Sequence, residues 1–438
     1  MKKIITPKKI INYFAIAFAF LPMLSNSISL LLGGVFYVAI AYSLAFLTIF
    51  VNTNKTVKKD VYFACGFAFF LLFLTIYSVG TQIFLSRFRT VSLLYFDVSV
   101  TFNNFIINLP IYLSCFFVFF KSGKEDRKRF FNFYFCCLLY TIVITFVALI
   151  NIPDFSKNET ANIVSGQMRV FLLLGASGFG LTYSLTIILP LFFYFFGKTK
   201  RIIFLAIGVF GTIVTILSGF LISTLVLAFN FVLCLIFGIK NNIIRRLLAG
   251  LFIFACLFLL FNIEIVGKMA LFAAEHIDIS YVQRRLVQVA NMILYNDTSG
   301  DAVSGRLLEY SKSLNSILSH PLFGNALFSN SNIESGHSTI MDPWACFGIL
   351  MPILLLLFLL FFYLGATKKE KHRSAKNKVL VAFLSFLIVT LFNPIFATAS
   401  ICLNFILVMN CFAIVTEDEQ CYSKEYYLLP SKLIYKRR

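Results

Sequence analysis

Apolar runs of about twenty residues, free of Asp, Glu, Lys and Arg in their interiors, follow one another along most of this chain. A bilayer core of roughly 30 Å is crossed by about 20 residues of α-helix, so each run reads as one membrane span. Twelve such spans are predicted. They lie near 11–31, 33–51, 61–80, 101–120, 131–151, 174–197, 201–218, 220–238, 247–264, 344–366, 379–394 and 398–416. Within 201–238, Ser218-Gly219 is either a tight turn between two short spans or the middle of one bent span. The expected fold class is all-α: a polytopic membrane helical bundle forming one integral membrane domain over 1–438. Apolar residues make up 59% of the chain and charged residues 13%, which excludes a soluble protein of this length. The 55 Phe residues, against one Trp, read as lipid-facing and packing bulk.

Charge supports the count. With the N-terminus inside, basic residues cluster in the alternate connections that face the cytoplasm. Those connections hold 29 of the 38 Lys and Arg, and the outside segments hold the other nine: Arg87, Arg89, Lys157, Arg169, Lys268, Arg284, Arg285, Arg306 and Lys312. A miscounted span would scramble this alternation, so both termini are expected in the cytoplasm, with 417–438 as a basic tail. The formal charge of +19 is spread in this pattern and does not read as a nucleic-acid footprint. Met1-Lys2-Lys3 ahead of an apolar run reads as an uncleaved signal anchor. The ten cysteines show no ligand spacing, so neither a disulfide framework nor a metal site is expected.

Two features bear on function. The spans lack the mid-membrane ionisable groups that ion-coupled transporters use. In addition, one long polar loop, 265–343, is predicted on the outer face, containing short helices. Within it, Leu307, Tyr310, Leu314 and Ile317/Leu318 recur at helical spacing after Ser304-Gly305-Arg306. Ser304 is the expected N-cap and Pro321 the stop. Arg306 in the first turn would add its guanidinium to the positive helix end, an arrangement suited to phosphate oxygens. Tyr281–Tyr295, with Arg284 and Arg285, is a second amphipathic stretch suited to the membrane surface. His337, just before the tenth span, is placed at the outer membrane surface, where imidazole takes protons near neutral pH. Asp342, five residues on, is a candidate to orient that imidazole, and His320 a candidate helix cap.

The stretch Ser304-Gly305-Arg306, Pro321-Leu322-Phe323-Gly324 and His337…Gly348 resembles the C-terminal signature of the O-antigen polymerase/ligase superfamily. That pattern has an Arg opening a loop helix, a Pro-Leu-x-Gly turn, and a His followed by ten residues and a Gly. An earlier external Arg with the same spacing to a Gly is matched by Arg169…Gly180. Many members carry a further Arg after a Ser near the position of Ser218-Gly219-Phe220, and here none is present. The resemblance implies a Wzy-type polysaccharide polymerase, a metal-independent glycosyltransferase of the bacterial cytoplasmic (inner) membrane. It would move a polyprenyl-diphosphate-linked glycan onto the next lipid-linked repeat unit, with no cofactor. His337 would be the general base, and Arg169, Arg306, Arg284 and Arg285 would hold the diphosphate. The implied partners are the polyprenyl-diphosphate-linked oligosaccharide and membrane lipids, with a chain-length regulator protein as a candidate. The alternatives are a ligase or oligosaccharyl transferase of the same superfamily, or a flippase for lipid-linked sugars.

Overall fold

A computed structural model describes residues 6–24, 34–52, 61–85, 98–121, 124–160, 165–239, 241–276, 280–295, 303–326, 337–368, 373–395 and 400–412. Arg87, Arg89 and the basic tail 417–438 lie outside these residues. The described elements are helical, with no strand among them. In chain order they are α1 Pro7–Leu24, α2 Gly34–Asn52, α3 Val61–Leu85, α4 Val98–Lys121 and α5 Lys124–Asn151. Two short helices follow, α6 Phe155–Thr160 and α7 Gly166–Leu174, and then α8 Phe179–Thr199, α9 Ile202–Leu217, α10 Leu221–Gly238 and α11 Asn242–Phe261. After these come α12 Ile263–Glu275, α13 Ser280–Tyr295, α14 Val303–Ser319 and α15 Met341–Phe347. The last are α16 Leu350–Thr367, α17 Arg373–Phe392 and α18 Ser400–Phe412.

Among the described residues, five segments are long and apolar enough to cross a membrane: Val61–Ile83, Arg129–Asn151, Phe179–Thr199, Leu350–Thr367 and Ala375–Phe392. Shorter apolar helices, Ile202–Leu217, Leu221–Phe237 and Ser400–Phe412 among them, complete the bundle. This is the fold of a helical membrane protein. Glycines move several expected boundaries. The run 174–197 is not one helix, because Gly175 (φ +102°) closes α7 and α8 begins only at Phe179. Gly348 (φ +75°) likewise cuts 344–366 into α15 and α16. Between α9 and α10, Gly219 (φ +70°) makes Ser218-Gly219 a tight turn. Hydropathy does not register such breaks, since the glycine sits inside an apolar run. Helix α17 begins at Arg373, not 379, so Lys376 and Lys378 belong to its early turns. Ser304 lies inside the first turn of α14, not at its cap.

Helix α8 is the centre of the bundle, packed against α9, α10 and α17 and buried from Gly180 to Phe192. A helix so enclosed must satisfy its polar groups internally. The hydroxyls of Thr182, Ser184 and Thr186 therefore donate to carbonyls four residues back. Pro190 has no N–H, which leaves the Thr186 carbonyl without its helical donor. Asn230 of α10 supplies one through Nδ2 at 2.8 Å, and its Oδ1 accepts from Ser385 of α17. Tyr134 donates to Asn404 Oδ1 (2.6 Å) and Asn404 Nδ2 to Ser184 Oγ (3.1 Å), tying α5, α18 and α8 together. Phe358, Phe386 and Phe405 pack with ring centroids 4.4–6.2 Å apart, so much of the Phe content is core.

Thr182 beside Ser218 and Lys378 beside Cys234, on either side of the Thr186–Asn230–Ser385 level, fix the polarity of three helices. The N-termini of α8 and α10 lie at the same end of the bundle as the C-terminus of α17. The opposite end carries Lys198, Lys200, Arg201, Lys376 and Lys378. Arg201 bonds Asn132 near the start of α5, and Lys368 sits over the Tyr62 ring at the start of α3. The described basic residues of these helices thus gather at one end, and the helices α14 and α15 dock at the other.

Candidate functional site

The two motif segments of the late polar region meet backbone to backbone. Gly324 has φ +71°, and a Cβ there would lie 2.3 Å from the Cys346 carbonyl carbon. At Gly348 (φ +75°) a Cβ would lie 2.0 Å from the Leu322 oxygen. Both contacts are far inside any real Cβ separation, so both positions require glycine. Around them, Asn325 N donates to Ala345 O (2.8 Å), Ala326 N to Cys346 O (3.0 Å) and Ile349 N to Leu322 O (3.3 Å). Trp344 Nε1 donates to Pro321 O at 3.0 Å. The Pro321–Gly324 turn and the helix ending at Gly348 are therefore one interlocked unit. Ser316 Oγ, which donates to Ala345 O and accepts from Asn325 Nδ2, binds that unit to α14.

His337 enters this unit through its neighbours. Asp342 is fully buried; its Oδ2 accepts from Ser338 N (2.9 Å) and its Oδ1 from Ser313 Oγ of α14 (2.7 Å). Asp342 thus holds the backbone next to the histidine. Thr339 N donates to Thr390 O, and its hydroxyl donates to Asn393 O and accepts from Ile395 N. Two anchored residues directly after His337 fix where its half-buried ring stands. That ring lies edge-on to Tyr310 of α14, centroids 6.4 Å apart, and Tyr310 Oη donates to Phe392 O.

Arg306 lies in the first turn of α14, one turn before Tyr310, so the helix carrying it is the helix that packs on His337. Its side chain, like that of Arg285, is outside what is described. Arg284 is exposed on α13, which packs chiefly on α12, where Gly267 lets Leu294 approach closely. Arg169 is exposed on α7, packed against α5, and no described contact joins it to α14 or His337. His320 is exposed just past the end of α14, with Nδ1 3.2 Å from Ser319 Oγ.

The corner between α7 and α8 holds a residue the sequence reading missed. Glu159, on α6, turns its carboxyl inward, and Oε2 accepts from Gly178 N (2.5 Å) and Phe179 N (3.3 Å) at the start of α8. Burial pushes the carboxyl up from 4.5 to about 7, and the two N–H groups hold back part of that rise. A Cβ on Gly178 would lie 2.2 Å from this oxygen, so the glycine is what admits the acid. Beside it, the hydroxyls of Ser156 and Thr182 lie within hydrogen-bond distance of Ser218 Oγ, at 3.2 and 2.9 Å. Only the spacing of Arg169 and Gly180 pointed to this corner. A single Glu in a short polar segment has no pattern of its own.

No protein-family model and no curated protein matches this sequence. Among the described residues, no three His, Cys, Asp or Glu side chains gather as a metal ion would require. What the loop unit does offer is an imidazole in a fixed position, beside a phenol and a helix whose first turn bears a guanidinium. Such a set can take a proton at one place while stabilising negative charge near another.

Proposed function

We propose that this protein is a polysaccharide polymerase that transfers a glycan from polyprenyl diphosphate to a sugar hydroxyl at the outer face of the cytoplasmic membrane. The reading takes the chain as twelve spans with both termini inside and the basic end of the bundle in the cytoplasm. The gathering of basic residues at one end supports that orientation. The observation that carries the functional reading is the interlock of Pro321–Gly324 with the His337–Gly348 segment. It joins the turn to the His337 segment, and the Tyr310–His337 contact sets against that segment the helix that carries Arg306 in its first turn.

In the reaction, His337 takes the proton of the acceptor hydroxyl as its oxygen bonds the anomeric carbon of the donor. The bond from that carbon to the diphosphate oxygen breaks, and the lipid diphosphate leaves with the electron pair. Arg306 and the positive end of α14 stabilise that charge. Arg169, Arg284 and Arg285 are further diphosphate contacts in this reading.

The test is the surface polysaccharide profile of cells lacking the protein, complemented with wild type, His337→Ala or Arg306→Ala at matched membrane levels. The proposal expects a single repeat unit after deletion, a restored ladder with wild type, and none with either variant. Long glycan left on the lipid carrier after deletion would instead identify a ligase. Full complementation by both variants would remove the site assignment.

A further inference from the structure

Halfway along α8, on the side facing α10 and α17, the bundle has a groove that the proposed reaction does not use. Leu189, Pro190, Phe193, Leu227 and Phe231 wall it, and Cys234 and Lys378 stand at its basic end. The free space is about 350 Å³ including the open mouth. That is at the low end for a small-molecule site and far too small for an oligosaccharide. Phe231 is exposed on the bundle surface, so the groove opens sideways, where lipid would lie. From Cys234 to Leu227 the wall runs seven residues along α10, roughly 10 Å. Its cause is local: Pro190 breaks the hydrogen-bond ladder of α8 here, and Asn230 fills the break.

The polar groups of the groove are unequal. Asn230 is committed on both sides, to the Thr186 carbonyl and to Ser385. Lys378 is half-buried five residues into α17, beside the Cys234 thiol, with no ion pair or hydrogen bond among the described residues. Three other lysines at the same end lie over aromatic rings: Lys198 on Tyr194, Lys200 on Phe196 and Lys368 on Tyr62. Lys378 caps an apolar slot instead. A slot with one cation at its membrane-surface end and hydrocarbon walls beyond it complements an acyl chain under an anionic headgroup.

We propose that the groove between α8, α10 and α17 is a binding site for an anionic phospholipid, with one acyl chain against Pro190 and Leu227 and the phosphate on Lys378. The site is independent of the proposed glycan chemistry at the other end of the bundle.

The experiment uses the full chain, purified in mild detergent and titrated with phosphatidylglycerol, phosphatidylcholine or polyprenyl phosphate, with bound lipid counted by native mass spectrometry. Wild type is expected to hold one phosphatidylglycerol in preference to phosphatidylcholine. Lys378→Gln should weaken phosphatidylglycerol about fivefold, the contribution of one surface lysine to an anionic lipid, and leave phosphatidylcholine unchanged. Lys378→Arg should keep the preference. Leu227→Trp, which fills the groove and leaves the charge, should lose the site; if that variant does not fold, the two Lys378 variants decide alone. Equal phosphatidylglycerol binding by wild type and Lys378→Gln overturns the proposal. So does equal binding of both phospholipids by wild type, or displacement of phosphatidylglycerol by equimolar polyprenyl phosphate.

Discussion

Replacing Glu159 with Gln separates the two things this carboxyl does at the α7–α8 corner. It accepts from Gly178 N and Phe179 N, and it carries a charge in a place that disfavours charge. Gln retains the acceptor and removes the charge. The folded carboxyl titrates at about 7, against an ordinary 4.5, and at about 1.4 kcal/mol for each pH unit this amounts to roughly 3 kcal/mol. The sign follows from proton binding. Between 4.5 and about 7 the folded chain holds a proton that the unfolded chain has released, so stability falls as pH rises through this window and is flat above it. Wild type should therefore melt progressively lower from pH 5 to 8, while Glu159→Gln should lose much less. The two should be close near pH 4.5 and differ by several degrees at pH 8. Comparing the variants at each pH cancels the titration of every other group. Glu159→Ala is the control: it leaves two N–H groups without this acceptor and should lie about 1–3 kcal/mol below Glu159→Gln at every pH. Parallel melting curves for wild type and Glu159→Gln across this range would refute the reasoning, because the carboxyl would then be solvated.

Gly348→Ala should open the interlock, since φ +75° strains any other residue and the new Cβ would strike the Leu322 carbonyl. A cost of roughly 3 kcal/mol or more is expected, read as faster proteolysis within 320–348 and loss of the polysaccharide ladder at unchanged membrane levels. Asp342→Ala should lower the melting temperature more than Asp342→Asn. It removes the carboxylate acceptor of both Ser313 Oγ and Ser338 N, at about 1–3 kcal/mol for a donor left unsatisfied, whereas Asn keeps one acceptor. Asn230→Leu should destabilise by about 1–3 kcal/mol by leaving the Thr186 carbonyl unpaired. Adding Pro190→Ala should recover most of that loss, because the restored N–H reaches the same carbonyl, and a thermal double-mutant cycle checks it.

Part of the site could be read from the sequence because its signals are local. The stripe Leu307, Tyr310, Leu314, Ile317 has a helix's period, and α14 follows it closely, stopping before Pro321. His337 and Gly348 were legible as a spaced pair, but not why the spacing matters: it carries the chain from the Tyr310 contact to the Leu322 carbonyl. Glu159 was invisible for the opposite reason. Its partner, the start of α8, lies 19 residues away across a corner that hydropathy had merged into a span. The Asn230–Thr186–Pro190 arrangement failed likewise, since a proline within an apolar run says nothing about which helix supplies the missing donor.

What the sequence determined by itself was the class of fold and its charge asymmetry. Both depend on quantities that add along the chain: the length of an apolar run against the thickness of a bilayer, and the sign of charge between runs. Only the tertiary structure decided which polar groups are enclosed and what encloses them. In a membrane bundle buried donors and acceptors need partners from the protein, and those partners often sit on helices far apart in sequence, as Tyr134 and Asn404 do. No period or composition encodes that pairing; it exists only once the helices have packed.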